Sequence, residues 1–145
     1  WYNLNNQPWC AMFVSWSAYH AGVPITVILR YAGVVIGRDW FKAKGEHHYK
    51  TYEQTQSGEY IPQCGDIIFF TSEGASHTGL VIKVDGDILY TVEGNTSDMV
   101  AIKFYHYKTY NKITGYGVPA YPASSTPIED FSVEGATSGD GSSTN

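Results

Sequence analysis

Cys10 is one of only two cysteines in a chain of 145 residues, and it stands in "NQPWCAMFVSW", where a helical period begins. At a helix N-terminus, unpaired amides and the helix dipole favour a thiolate and offer N–H donors to a developing oxyanion. A base within reach would take the thiol proton and later return it to a leaving group. The stretches "SHTGLVI" and "VEGNTSD" supply His77, Glu93 and Asn95 for that task. A Cys on a helix start, a His on a strand end and an acid or amide behind it make a nucleophile, a base and an orienting group.

Whether those side chains share a face depends on the turn "VDGD" between two strands. A two-residue loop at Asp85-Gly86 would pair Val84 with Asp87, and would set Leu80 and Ile82 opposite Thr91 and Leu89. A three-residue loop, Asp85 to Asp87, pairs Val84 with Ile88, Ile82 with Tyr90 and Leu80 with Val92. That second register matches apolar to apolar and is the expected one, because a one-residue slip moves a whole hydrophobic set off the core face. It places His77 opposite Asn95 and diagonal to Glu93, all at the open end of the hairpin. A carboxylate there holds the imidazole in one tautomer and orientation.

The elements that carry these residues are readable in outline. Trp9, Met12, Phe13, Trp16 and Tyr19 recur at steps of three and four, which predicts a helix starting near Pro8 and stopping by Gly22 and Pro24. Ala11, Ser15 and Ala18 form a small-residue stripe that admits another backbone. A second helical stretch is expected across "TVILRYAGVV" and "GRDWFKAKG", interrupted by Gly33 and Gly37, followed by a long surface loop, "EHHYKTYEQTQSGEYIPQ". From Cys64 onward the period becomes that of strands: "CGDIIFFT", "HTGLVIKV", "ILYTVEG", "VAIKFYHY" and "GYGVPAY". Helices first and an antiparallel sheet of about five strands second is an α+β arrangement. The expected division is a globular domain over 1–122 and a flexible Ser/Thr/Gly-rich tail or linker over 123–145.

Composition narrows the function classes. Apolar residues are 43% and charged residues 16% of the chain, enough for a folded core. A net charge of −5 disfavours nucleic acid and anionic membrane surfaces as partners. No apolar run is long enough to span a membrane. The chain starts at Trp1 with no leader, so an excised domain, tethered to another module, is expected. Cys64 reads as a strand-start core residue; a bridge to Cys10 would silence the nucleophile. His20, His47, His48 and His106 have no recognisable ligand spacing, so neither metal nor cofactor is expected. Trp40, Tyr49, Tyr52 and Tyr60 either line a groove or pack under the long loop.

The pieces "PWCAMFVSW", "WFKAKG", "CGDIIFF", "SHTGLVI" and "VEGNTSD" together resemble the CHAP domains. These are the cysteine- and histidine-dependent amidohydrolases/peptidases of the broader NlpC/P60 papain-like group. The resemblance implies a papain-like fold and a peptidoglycan hydrolase cutting an amide in the stem peptide or cross-bridge, or between sugar and peptide. It implies Cys10 as nucleophile, His77 as base, Glu93 as the orienting acid and Asn95 as a further polar member. Such domains occur in phage endolysins, autolysins and conjugation systems, so an extracellular, wall-directed protein is expected. A non-catalytic wall-binding module and an acyl transferase are the alternatives. Where some members have calcium-binding Asp residues, "YNLNNQ" has only amides, and no calcium site is expected. Trp9 stands where other members have Gln; Gln7 and Asn6 are then candidates for the second oxyanion donor, and Trp9, Gln7 and Trp40 for substrate contacts.

Overall fold

The computed structural model describes residues 9–72, 75–96, 99–123 and 132–142, without the side chains of 72, 75, 95 and 96. Its elements in chain order are α1 (Cys10–His20), α2 (Val34–Ala43), β1 (Tyr49–Thr51) and α3 (Tyr52–Gln56). Six strands follow: β2 (Ile67–Ser72), β3 (Ala75–Asp85), β4 (Ile88–Thr96), β5 (Met99–His106), β6 (Ile113–Gly117) and β7 (Thr137–Ser138). All seven strands join one sheet in the order β1-β6-β2-β3-β4-β5-β7. The class is α+β, as expected, but the sheet is larger than five antiparallel strands. Residues of the expected surface loop supply β1 at one edge, and β7 adds a parallel pair at the other, beside β5.

Three stretches differ from the sequence expectation. Of the second helical stretch only Val34–Ala43 is α-helical, starting after the extended Gly33. The long loop contains both β1 and α3, the latter closed by a capping box in which Thr51 and Gln54 satisfy each other's backbone amides. Part of the stretch expected as a linker, residues 132–142, lies against the sheet through β7.

Alternation along β2 divides the core in two. Ile67 and Phe69 pack with Ala11, Val14, Ala18, Tyr31 and Phe41 on the helical side. Ile68 and Phe70 pack with Val81, Leu89, Tyr105 and Tyr116 on the other. The face that α1 buries is its small-residue stripe, not its aromatic one: Ala11, Ser15 and Ala18 are buried, whereas Trp16 and Tyr19 are about half exposed. Small side chains let neighbouring backbone come close. Ser15 Oγ accepts from the Tyr31 amide at 2.8 Å and donates to the Tyr31 carbonyl at 2.6 Å. On β4, Gly94 meets α1 at Trp9 and Phe13, where any Cβ would fall 2.6 Å from that of Phe13.

The β3–β4 hairpin follows neither register considered from sequence along its whole length. Its turn is a two-residue loop, Gly86-Asp87, with Asp85 opposite Ile88, Val84 opposite Leu89 and Lys83 opposite Tyr90. Gly86 takes a positive φ of 59°, the backbone that such a tight turn demands of its first residue. A bulge between Val81 and Lys83 then absorbs one residue, and Leu80 pairs with Val92 after all. The Leu80–Val92 pair of the expected register is therefore present, although the turn end differs.

Candidate active site

The site begins at the first turn of α1. Cys10 opens the helix and is buried, with the amides of Ala11 and Thr78 hydrogen-bonded to its sulfur. Trp9, at the N-cap, makes no side-chain cap, and the Ala11 amide of the first turn is directed at the sulfur. Burial pushes the thiol up, but the His77 hydrogen bond and charge, with the two amides, outweigh it and hold Cys10 below the ordinary thiol range.

His77 comes from β3 and stacks on Phe70, its cross-strand partner on β2, with ring centroids 5.8 Å apart. Its Nε2 lies 2.7 Å from Glu93 Oε1, which leaves Nδ1 to serve Cys10. Burial opposes charge on the imidazole. The hydrogen bonds and charges of Cys10 and Glu93 win, and lift it to about 9. Thiolate and imidazolium thus stabilise each other as a coupled pair.

Glu93 is 2% exposed, an uncommon place for a carboxylate. All its described partners are donors. Oε1 takes His77, and Oε2 accepts from Tyr105 Oη at 2.6 Å and from Thr91 Oγ1. Gly79 makes the diagonal reach possible: a Cβ there would sit 2.7 Å from Glu93 Cγ. The Glu93 side chain lies across β3 in the space that glycine leaves.

The three principal residues read from sequence are therefore in one hydrogen-bonded series. Asn95 lies on β4 in the irregular stretch between Glu93 and Thr96, and its side chain is outside the described residues, as are Gln7 and Asn6 altogether. Trp9 is next to the site, edge-on to Phe13. Trp40 is apart from it, against Phe41 and under the Lys44 ammonium. Tyr49 is buried, and the Tyr60 and Tyr52 hydroxyls bond Asp66 and the Lys108 carbonyl, so these rings pack rather than line a groove. Cys10 and Cys64 are both free thiols, with Cys64 in the turn ahead of β2.

Sequence reading missed the residues behind Glu93. Thr91 was accessible, since residues two apart on a strand share a face. Tyr105 was not, because its relation to Glu93 depends on the β4–β5 register.

Chemically, an α+β frame that sets a helix-terminal thiol against a strand-borne imidazole and a buried carboxylate provides a nucleophile, a proton carrier and its orienting group. The CHAP domain family model matches residues 2–95, and the chain belongs to that family. CHAP domains are amidase and peptidase modules associated with peptidoglycan. No curated protein matches the chain. A solved structure described as "The crystal structure of Ly7917" is similar at 24% identity with a TM-score of 0.39, covering 55% of this chain and 33% of its own. The match thus spans about a third of that protein's length. Among the described residues no helix is long and apolar enough to cross a membrane.

Proposed function

We propose that this domain is a papain-like cysteine hydrolase that cuts an amide bond of peptidoglycan. The observation that carries the reading is the unbroken series Cys10–His77–Glu93 within the family-matched residues. Cys10 Sγ, as thiolate, adds to the scissile carbonyl, and first-turn amides of α1 stabilise the oxyanion. His77 gives its proton to the leaving amine as the C–N bond breaks, leaving a thioester on Cys10. Water then adds to the thioester, with His77 taking a proton from it, and the C–S bond breaks to release the acid and restore the thiolate–imidazolium pair. Glu93 keeps the imidazole oriented and balances its charge throughout.

The bond is in the stem peptide or cross-bridge, or is the N-acetylmuramoyl-L-alanine amide. Because that polymer lies outside the cytoplasm, the domain works extracellularly, in the manner of an autolysin or a phage endolysin, with targeting from another tethered module. The test is mass spectrometry of fragments released from peptidoglycans of several wall chemistries, comparing the chain with its Cys10→Ala variant. Defined fragments from the native chain alone, with new termini naming the bond, are the expected result. No release from any wall, with both proteins folded and bound to the polymer, would leave a recognition module. New amide bonds in the product would mean acyl transfer instead.

A further inference from the structure

We propose that Tyr105 is a positioning residue for the Cys10–His77 pair, acting through Glu93, and that the C-terminal strap at Gly139 holds it in place. The inference rests on the reading of Cys10, His77 and Glu93 just given. Tyr105 and Gly139 both lie beyond the family-matched residues 2–95.

The geometry behind it is a carboxylate with no freedom left. One Glu93 oxygen is occupied by His77, and the other by the hydroxyls of Tyr105 and Thr91. Without those hydroxyls the buried carboxylate could turn about its last bond and leave the imidazole. Tyr105 is the donor in its hydrogen bond, since an ionised carboxylate only accepts. Burial first, and then the Glu93 charge and hydrogen bond, keep the phenol protonated far beyond its ordinary range, so it donates at every working pH.

Tyr105 is itself held on several sides. Its ring packs on Phe70, the residue that also stacks on His77, and on Tyr110. Gly139 covers the ring so closely that a Cβ there would overlap Tyr105 Cε1, Cζ and Oη. The strap is fastened on both sides of that glycine. Thr137 and Ser138 pair with Lys103 and Phe104, and the Gly139 amide donates to the Phe104 carbonyl at 2.9 Å. Asp140 then accepts from the His106 amide at 2.6 Å. A glycine is needed where the strap crosses the ring, and Tyr105 beneath it is buried. The ionisable groups facing His77 are Cys10 from α1 and Glu93 from β4, and those facing Tyr105 are Glu93, Tyr110 after β5 and Asp140 from the strap.

The decisive experiment is the pH dependence of Cys10 alkylation by iodoacetamide in the full chain, followed on the Cys10 peptide so that Cys64 does not interfere. The variants are Tyr105→Phe, which keeps the ring, Gly139→Ala, which keeps every donor, Glu93→Gln, and Tyr105→Phe combined with Glu93→Gln. Native Cys10 is expected to react well below the ordinary thiol range. Tyr105→Phe should move the acid limb upward by about half a unit or more, because a carboxylate free to turn away from the imidazole supports the imidazolium less well. Gly139→Ala should move it the same way, and the double variant should match Glu93→Gln alone. Wall hydrolysis by Tyr105→Phe should lose about tenfold in kcat with KM unchanged, as for an interaction made through the reacting groups.

A Tyr105→Phe protein with native melting and a native alkylation profile would reduce Tyr105 to core packing and overturn the proposal. A shift in Tyr105→Phe but none in folded Gly139→Ala would overturn the role of the strap. An unreactive Cys10 in the native chain would overturn the functional reading itself, and this inference with it. Should Tyr105→Phe not fold, the Gly139→Ala profile decides: the upward shift supports the proposal and a native profile overturns it.

Discussion

Among the described residues two carboxylates, Asp66 and Glu93, are buried, and each is capped by a tyrosine. Asp66, at the start of β2, is 4% exposed and accepts from Tyr60 Oη at 2.7 Å and from the Gln63 amide at 2.9 Å, both on Oδ2. Glu93 is 2% exposed and accepts from Tyr105, Thr91 and His77. The difference is the third partner. Asp66 has only neutral donors among these contacts, and burial, working against them, pushes it up to about 6. Glu93 faces an imidazole that its charge helps lift to about 9. Asp66 ties the segment from Tyr60 to Gln63 onto the sheet through neighbours only a few residues away. Glu93 collects donors from β3, β4 and β5, and its charge supports a proton carrier.

The comparison breaks most visibly in activity. Glu93→Gln should lower kcat for wall hydrolysis about 10³-fold, because a neutral amide neither balances the imidazolium nor selects its tautomer. Asp66→Asn, assayed alongside on the same purified peptidoglycan, should stay within about twofold of native, since its contacts do not touch the reacting groups. Comparable losses in the two folded variants would erase the distinction.

Gly79→Ala sharpens it further by leaving Glu93 in the sequence. The added Cβ would meet Glu93 Cγ at 2.7 Å and push the carboxylate from its path across β3. We expect about a tenfold fall in kcat, the scale of a misoriented catalytic support, with little change in KM. A crystal structure of the variant should show the His77–Glu93 hydrogen bond lengthened or lost; a native bond with native activity would refute this account of Gly79.

The smallest effect concerns stability at the other carboxylate. A carboxyl raised from 3.8 to about 6 by folding is still protonated in the folded chain when the unfolded chain has already lost its proton. Its contribution is therefore most favourable below that window and is lost as pH rises through it. Asp66→Asn, which keeps an oxygen for Tyr60 and Gln63, should be more stable than native at pH 7 by on the order of 2 kcal/mol. Urea unfolding should show that gap closing near pH ~4, where both side chains are neutral. A gap that widened as pH fell would mean that a cation pairs with Asp66.

Legibility followed range along the chain. Cys10, His77 and Glu93 could be read because a helix start, a strand end and a turn are local features, and strand alternation carries their consequences a few residues further. The hairpin shows the limit. Apolar matching gave the Leu80–Val92 pair, but the same matching conceals that a two-residue turn at Gly86 and a bulge at Ile82 together reach it. In α1 the aromatic period located the helix, while its buried face is the stripe of Ala11, Ser15 and Ala18. Which stripe turns inward depends on how closely Tyr31 and Gly94 approach, and that is a matter of packing.

The sequence by itself determined the chemistry available: one thiol at a helix start, and one imidazole and one carboxylate across a hairpin. Residue type and two-residue alternation are enough for that, since both act over a few neighbours. Only the tertiary structure decided that Tyr105 and Thr91 share one Glu93 oxygen, that Asp66 is held by neutral donors, and that Gly139 covers the tyrosine. Those contacts join β5 to β4 and β7 to β5, and they exist only once strand registers and the path of the strap are set by packing of the whole domain.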